Sequence, residues 1–77
     1  MSCGFKPGDN VKINAYVYTN KWEGWKELSN KYGHHNLVVD RVIDMSDIPN
    51  IENLVVVGYP YTHCNQSVVK ESYLWKT

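Results

Sequence analysis

Net charge is missing from this chain: eight lysines and arginines balance eight aspartates and glutamates. No overall field would therefore draw it to a polyanion. Long apolar runs are also missing, and none approaches the roughly 20 residues that span a bilayer. Cysteine is scarce, with Cys3 near one end and Cys64 in a polar stretch. Chains that are not exported keep such thiols free, so no structural disulfide is expected. The opening residues lack a basic segment followed by an apolar one, which points away from export. A soluble, cytoplasmic protein with no membrane partner is the expectation. No internal repeat or low-complexity segment interrupts the sequence.

What is present describes a small globular domain. The 77 residues are 43% hydrophobic and 21% charged, and they are read as one domain, residues 1–77. That length lies near the lower end of what folds without a metal or disulfide staple, so the core must be small. Charge is unevenly spread. Residues 1–36 hold five lysines against Asp9, Glu23 and Glu27, whereas residues 37–55 hold Arg41 against Asp40, Asp44, Asp47 and Glu52. One acidic side is possible on this count, although isolated charges on small domains usually serve solubility.

The chain reads as short strands with one helix among them. Pro7-Gly8-Asp9 is turn chemistry, and the alternation after it sends Val11, Ile13, Ala15 and Val17 one way and Lys12, Asn14, Tyr16 and Tyr18 the other. This predicts a first strand extending to Tyr18. The period then changes: Trp22, Trp25, Leu28 and Tyr32 fall three or four apart. Asn20 is placed to cap a helix over residues 21–32, with Glu23 three residues on and Gly33 at the left-handed C-terminal position. Gly24 costs that helix up to roughly 1 kcal/mol, so its aromatic face must be packed for it to persist. Residues 37–43, 53–59 and 67–70 read as further strands. Gly58 is a candidate bulge. Residues 71–74 suggest one 3₁₀ turn that folds Leu74 or Trp75 back onto the core.

Gly8-Asp9-Asn10-Val11-Lys12-Ile13 at one end and Val68-Val69-Lys70-Glu71-Ser72-Tyr73-Leu74 at the other resemble the SH3-like small-barrel superfold. Its members often open with a Gly-Asp-x-Val-x-Val strand and close through a 3₁₀ turn and a short last strand. The resemblance implies a mainly β fold, α+β by content: an antiparallel barrel of about five strands with a helix inserted after the first. It is similar in size and strand order to small phage or bacterial accessory proteins. Members of the family that bind polyproline use aromatics in an Ala-Leu-Tyr-Asp-Tyr segment and a closing Ser-x-Tyr turn. Tyr16, Tyr18 and Tyr73 are the positions this comparison carries over. The helix occupies the stretch where those members place a long loop, which weakens the case for polyproline recognition.

Composition supplies the remaining functional signal. Six tyrosines, three tryptophans and one phenylalanine are many for so short a chain. Tyr and Trp give large contact area at low entropic cost, so Tyr16, Tyr18, Trp25, Tyr59, Tyr61, Tyr73 and Trp75 form a candidate partner-binding set. The alternative is that Trp22, Trp25 and Tyr32 dock the helix over Tyr16 and Tyr18 as a second core. His34-His35 and His63-Cys64 lack metal-site spacing; only if two loops met could His35, His63 and Cys64 converge. No cofactor or metal is expected. Cys64 beside His63 matches a nucleophile and base in composition alone, and no carboxylate pair is arranged to split its pKa values, so no enzyme is expected. The leading expectation is a non-catalytic protein-binding module. The alternative is a single-stranded nucleic-acid binder in which Lys12, Lys21, Lys26, Lys31 and Lys70 line the aromatic face. Self-association through an edge strand or the aromatic patch is a third reading.

Overall fold

The computed structural model describes residues 4–60 and 65–77. The turn before the first strand is closed locally: the Lys6 amide donates to the Asp9 carboxylate at 3.0 Å and the Asp9 amide to the Lys6 carbonyl at 3.1 Å. Gly8 sits there at φ 91°, a conformation that side chains rarely adopt. Strand β1, Asn10–Ile13, follows with Val11 and Ile13 turned inward. It then stops at Ile13, three residues into the expected alternation.

Asn14 is the reason. Its backbone amide donates to the Tyr73 carbonyl at 2.7 Å, and its side-chain oxygen accepts from the Tyr16 amide at 2.9 Å. Asparagine at an N-cap satisfies an amide that a helix start leaves unpaired, and here it opens α1, Ala15–Thr19. The predicted strand over 11–18 is therefore corrected to a strand and a helical turn. Val17 is buried as the alternation required, although it lies on a helical turn and not on the strand.

Asn20 also differs from its predicted role, closing α1 instead of opening the next helix. Lys21, at φ 54°, takes the left-handed position after it. The Trp22 amide returns to the Val17 carbonyl at 3.0 Å and the Lys21 amide to the Tyr18 carbonyl at 3.4 Å, the paired bonds of a Schellman ending. The second helix, α2, runs only Trp25–Lys31, with Gly24 at φ 79° as its cap. The expected span of 21–32 thus breaks at the residue identified as its weakness. Gly33 does adopt the left-handed conformation after α2, at φ 57°.

The remaining strands are β2 (Leu37–Ile43), β3 (Leu54–Gly58), β4 (Ser67–Lys70) and β5 (Leu74–Lys76), with a 3₁₀ turn over Glu71–Tyr73 between the last two. They form one five-stranded sheet in the order β4-β3-β2-β1-β5, with every neighbouring pair antiparallel. The bulge lies on β2 and not at Gly58: Val39 faces Val57 and Arg41 faces Val56, leaving Asp40 extra. The two chain ends meet as expected, since Ile13 pairs with Leu74 and Lys12 with Trp75. β4 and β5 remain edges, so strand pairing does not close the sheet.

One core runs through the sheet and both helices. Val11, Ile13, Leu37, Val39, Val55, Val57, Val69 and Leu74 come from strands, and Val17, Leu28 and Tyr32 from the helical segment. Burying each such aliphatic side chain contributes about 1.5–3 kcal/mol before conformational entropy is counted. Of the two residues proposed to fold back at the end, Leu74 is buried and Trp75 is not. No helix among the described residues is long and apolar enough to cross a membrane.

Candidate functional site

The tyrosines divide by what their hydroxyls do. Tyr18 donates to the Gly33 carbonyl at 2.6 Å and Tyr73 to the Glu23 carbonyl at 3.1 Å. Tyr59 donates to the Lys31 carbonyl, and Tyr32 to that of Asn65. Lys31 and Gly33 lie at the end of α2, where carbonyls have no helical partner, so Tyr59 and Tyr18 cap it from outside. Burial also pushes the Tyr18 phenol above its ordinary value.

Ring contacts run through the same residues. Tyr32 meets Tyr59 edge-on at 5.7 Å, and Trp22 lies tilted against Tyr73 at 5.4 Å. Trp22, Trp25, Tyr18 and Tyr59 are partly buried against the core. Trp22, Trp25 and Tyr32 thus pack the helical segment against the one core that the strands also form, and not as a separate core over Tyr16, which is exposed. Tyr18, Tyr59 and Tyr73, all in the candidate binding set, are held inside or along the seam of the fold. Trp25 is half-buried, with the Lys26 ammonium 5.8 Å from its ring. Tyr61, His63, Cys64 and Cys3 lie outside the described residues.

Two members of that set are presented to solvent. Tyr16 on α1 is 58% exposed and Trp75 on β5 is 47% exposed. Their rings are in edge-to-face contact at 6.2 Å. The early end of β1 explains the meeting: α1 turns Tyr16 outward beside β5, where Trp75 occupies the position paired with Lys12. Lys12 and Trp75 emerge on the same face, because directly paired residues share a side of the sheet. The result is an exposed aromatic pair on the sheet face that also carries Lys12.

The other nucleic-acid candidates are not gathered around it. Lys31 donates to the Gln66 carbonyl at 3.2 Å and the Ser67 hydroxyl at 2.8 Å. Lys70 lies over the Tyr73 ring at 5.9 Å. Lys31 and Lys70 line a groove of about 430 Å³ between α2 and β4, together with the carboxylate residues Glu23 and Glu27. The formal charges lining that groove cancel. Lys21 is exposed and serves the end of α1.

The acidic stretch forms turns. Asp44 accepts from the Ser46 amide at 2.9 Å, and this bond holds its carboxyl below the usual value. Glu52 accepts from the Ser72 amide at 2.7 Å, tying the loop before β3 to the 3₁₀ turn. His34 stands edge-on to Tyr18 at 5.5 Å and His35 to Tyr59 at 6.2 Å. Among the described residues, no three His, Cys, Asp or Glu side chains converge as metal ligands would.

Sequence reasoning missed the groove between α2 and β4. Val68, which lines it, is 54% exposed. Only the strand order identifies β4 as an edge. No protein-family model matches the chain, and neither a curated protein nor a solved structure shows significant similarity to it.

Proposed function

We propose that the protein is a non-catalytic interaction module that binds another protein through the exposed Tyr16–Trp75 pair. The contact between two large aromatic rings, both about half exposed, carries this reading. Such rings are rigid and amphipathic, and residues of this type dominate binding energy where interfaces have been scanned. Tyr18, Tyr59 and Tyr73 act behind the contact by holding α2 against the sheet. The proposed fold is an SH3-like small barrel, supported by the β4-β3-β2-β1-β5 order and the 3₁₀ turn joining the two edges.

Lysate capture tests this function. A bacterial lysate is the source, in keeping with the proposed bacterial or phage origin. Tagged protein should retain one stoichiometric protein through nuclease treatment and moderate salt. Tyr16→Ala and Trp75→Ala should each lose it. Retention by both variants would remove the pair from the binding site. Recovery of nucleic acid alone, lost at moderate salt, would replace this reading with the nucleic-acid one, because phosphate contacts release counterions.

A further inference from the structure

The groove between α2 and β4 is charge-balanced, and its signs are ordered along it. Lys31 donates to the Ser67 hydroxyl at one end of β4, and just past the other end the Tyr73 hydroxyl donates to the Glu23 carbonyl. α2 therefore runs opposite to β4, with Lys31 at the Ser67 end and the glutamates towards the Tyr73 end. Among the described residues the one ion pair joins Lys76 to Asp9, so neither Glu23 nor Glu27 is bridged to a lysine. β4 pairs with β3 alone, and its ladder fixes which main-chain groups look outward. The Glu71 amide donates to the Asn53 carbonyl at 3.1 Å, so Val69 and Ser67 also turn to β3, while Gln66, Val68 and Lys70 turn away. The Gln66 carbonyl agrees with this phase, since it accepts from Lys31 on the α2 side at 3.2 Å. Val68 and Lys70 keep outward amides and carbonyls without a ladder partner.

We infer that β4 is a self-association edge, on which a second copy of the chain pairs antiparallel about a two-fold axis through Val69. Val69 points inward with Leu28, whereas Val68 is exposed on the opposite face. Paired residues must share a face of the sheet, so the axis passes through a residue and not between two. Centring it on Val68 would require the Gln66 carbonyl for the Lys70 amide of the other copy, and Lys31 already occupies that carbonyl. Centring it on Val69 uses only groups that have no partner. Val68 of each copy then exchanges main-chain bonds with Lys70 of the other, and Ser67 stands opposite Glu71.

The same operation matches the charges. It brings the Ser67 end of one groove to the Tyr73 end of the other, and so carries Lys31 of one copy towards Glu23 and Glu27 of its mate. A groove lined by Lys31, Lys70, Glu23 and Glu27 is complementary to itself in this arrangement, which is what an isologous interface requires. On the opposite face the stem of Lys70 covers the exposed Val68 of the other copy. The Lys70 ammonium lies at the Tyr73 ring, past the end of β4, which keeps the two copies of this lysine apart. With no net charge, two chains approach without overall repulsion.

Sedimentation equilibrium of the full chain over a micromolar-to-millimolar series tests this, with amide shifts of ¹⁵N-labelled protein recorded over the same dilution. The mass should rise towards twice that of the monomer, and concentration-dependent shifts should concentrate in Ser67–Lys70 and Trp25–Lys31. Val68→Pro removes an outward amide and no bond to β3, so it should stay folded and lose the dimer. Lys31→Glu, and separately the combined Glu23→Lys and Glu27→Lys, should each weaken association about tenfold or more. An equimolar mixture of those two variants should restore it, because every acidic flank then meets a basic one. A mass that stays monomeric throughout, a dimer that survives Val68→Pro, or a mixture no tighter than its components would overturn the inference. Shifts confined to Tyr16 and Trp75 would also overturn it, by assigning self-association to the aromatic pair. Trp75→Ala should lose lysate capture and keep the dimer, so the two proposals can fail separately.

Discussion

Tyr73→Ala and Tyr16→Ala should behave as opposites in stability, although both remove a tyrosine proposed from sequence as a binding residue. Tyr73 is 9% exposed, packs on Trp22 at 5.4 Å and links to α2 through the Glu23 carbonyl at 3.1 Å. Truncating a buried aromatic costs about 3–5 kcal/mol through lost transfer energy and the cavity left behind. A domain of 77 residues has a total stability of about 4–12 kcal/mol at typical per-residue values. Tyr73→Ala should therefore remove a quarter or more of it, whereas Tyr73→Phe, losing only the hydroxyl, should cost about 1 kcal/mol. Tyr16, 58% exposed, should change stability by no more than about 0.5 kcal/mol. Urea unfolding gives each value from the midpoint at constant m. A Tyr16→Ala loss above about 2 kcal/mol, or a Tyr73→Ala loss below about 1 kcal/mol, would refute the division of tyrosines into surface and staple.

Two further effects follow from the helical segment. Lys21 holds a left-handed conformation at φ 54°, so Lys21→Gly should be neutral or stabilise by up to about 1 kcal/mol, while the β-branched Lys21→Val should destabilise; thermal unfolding of the three proteins checks the order. Burial raises the Tyr18 phenol above 10.0, so the unfolded chain releases this proton first and the folded state binds it more tightly. Stability from this group is complete below about pH 10 and falls as pH climbs through the folded-state value. Tyr18→Phe should flatten that alkaline decline in urea midpoints measured between neutral and high pH, and an unchanged decline would contradict it.

Much of the sheet was legible because its signals are local. β2 and β4 lie at Leu37–Ile43 and Ser67–Lys70, where β-branched runs placed them, and the 3₁₀ turn lies where the closing sequence put it. The segment after Ile13 was misread because Val17 satisfies both periods: it is two steps of strand alternation, or one turn of helix, beyond Ile13. The deciding residue was Asn14. Its cap is complete only when Tyr73, 59 positions away, supplies a carbonyl to its amide. The same limit applies to the site. Tyr16 and Trp75 were both named from composition, but their contact depends on α1 ending β1 early, and the α2–β4 groove depends on which strands are edges.

The excess of tyrosine has a physical explanation that does not require every ring to face a partner. α2 has seven residues, too few to persist as an isolated helix in water, and its glycine cap supplies no side-chain bond. Leu28, with the half-buried Trp25, gives it a small apolar footing. Phenols are suited to the remaining work, because each brings a ring to pack and a donor that can reach a carbonyl left open at a helix end. Tyr18 and Tyr59 do this at the C-terminal end of α2, and Tyr73 fastens the segment just before its start. The flank of α2 that faces β4 is itself anchored, by Leu28 buried in the core with Val69 and by Lys31, which reaches Gln66 and Ser67. The exposed Tyr16–Trp75 pair is what remains after the fold's own requirement for aromatic rings is met.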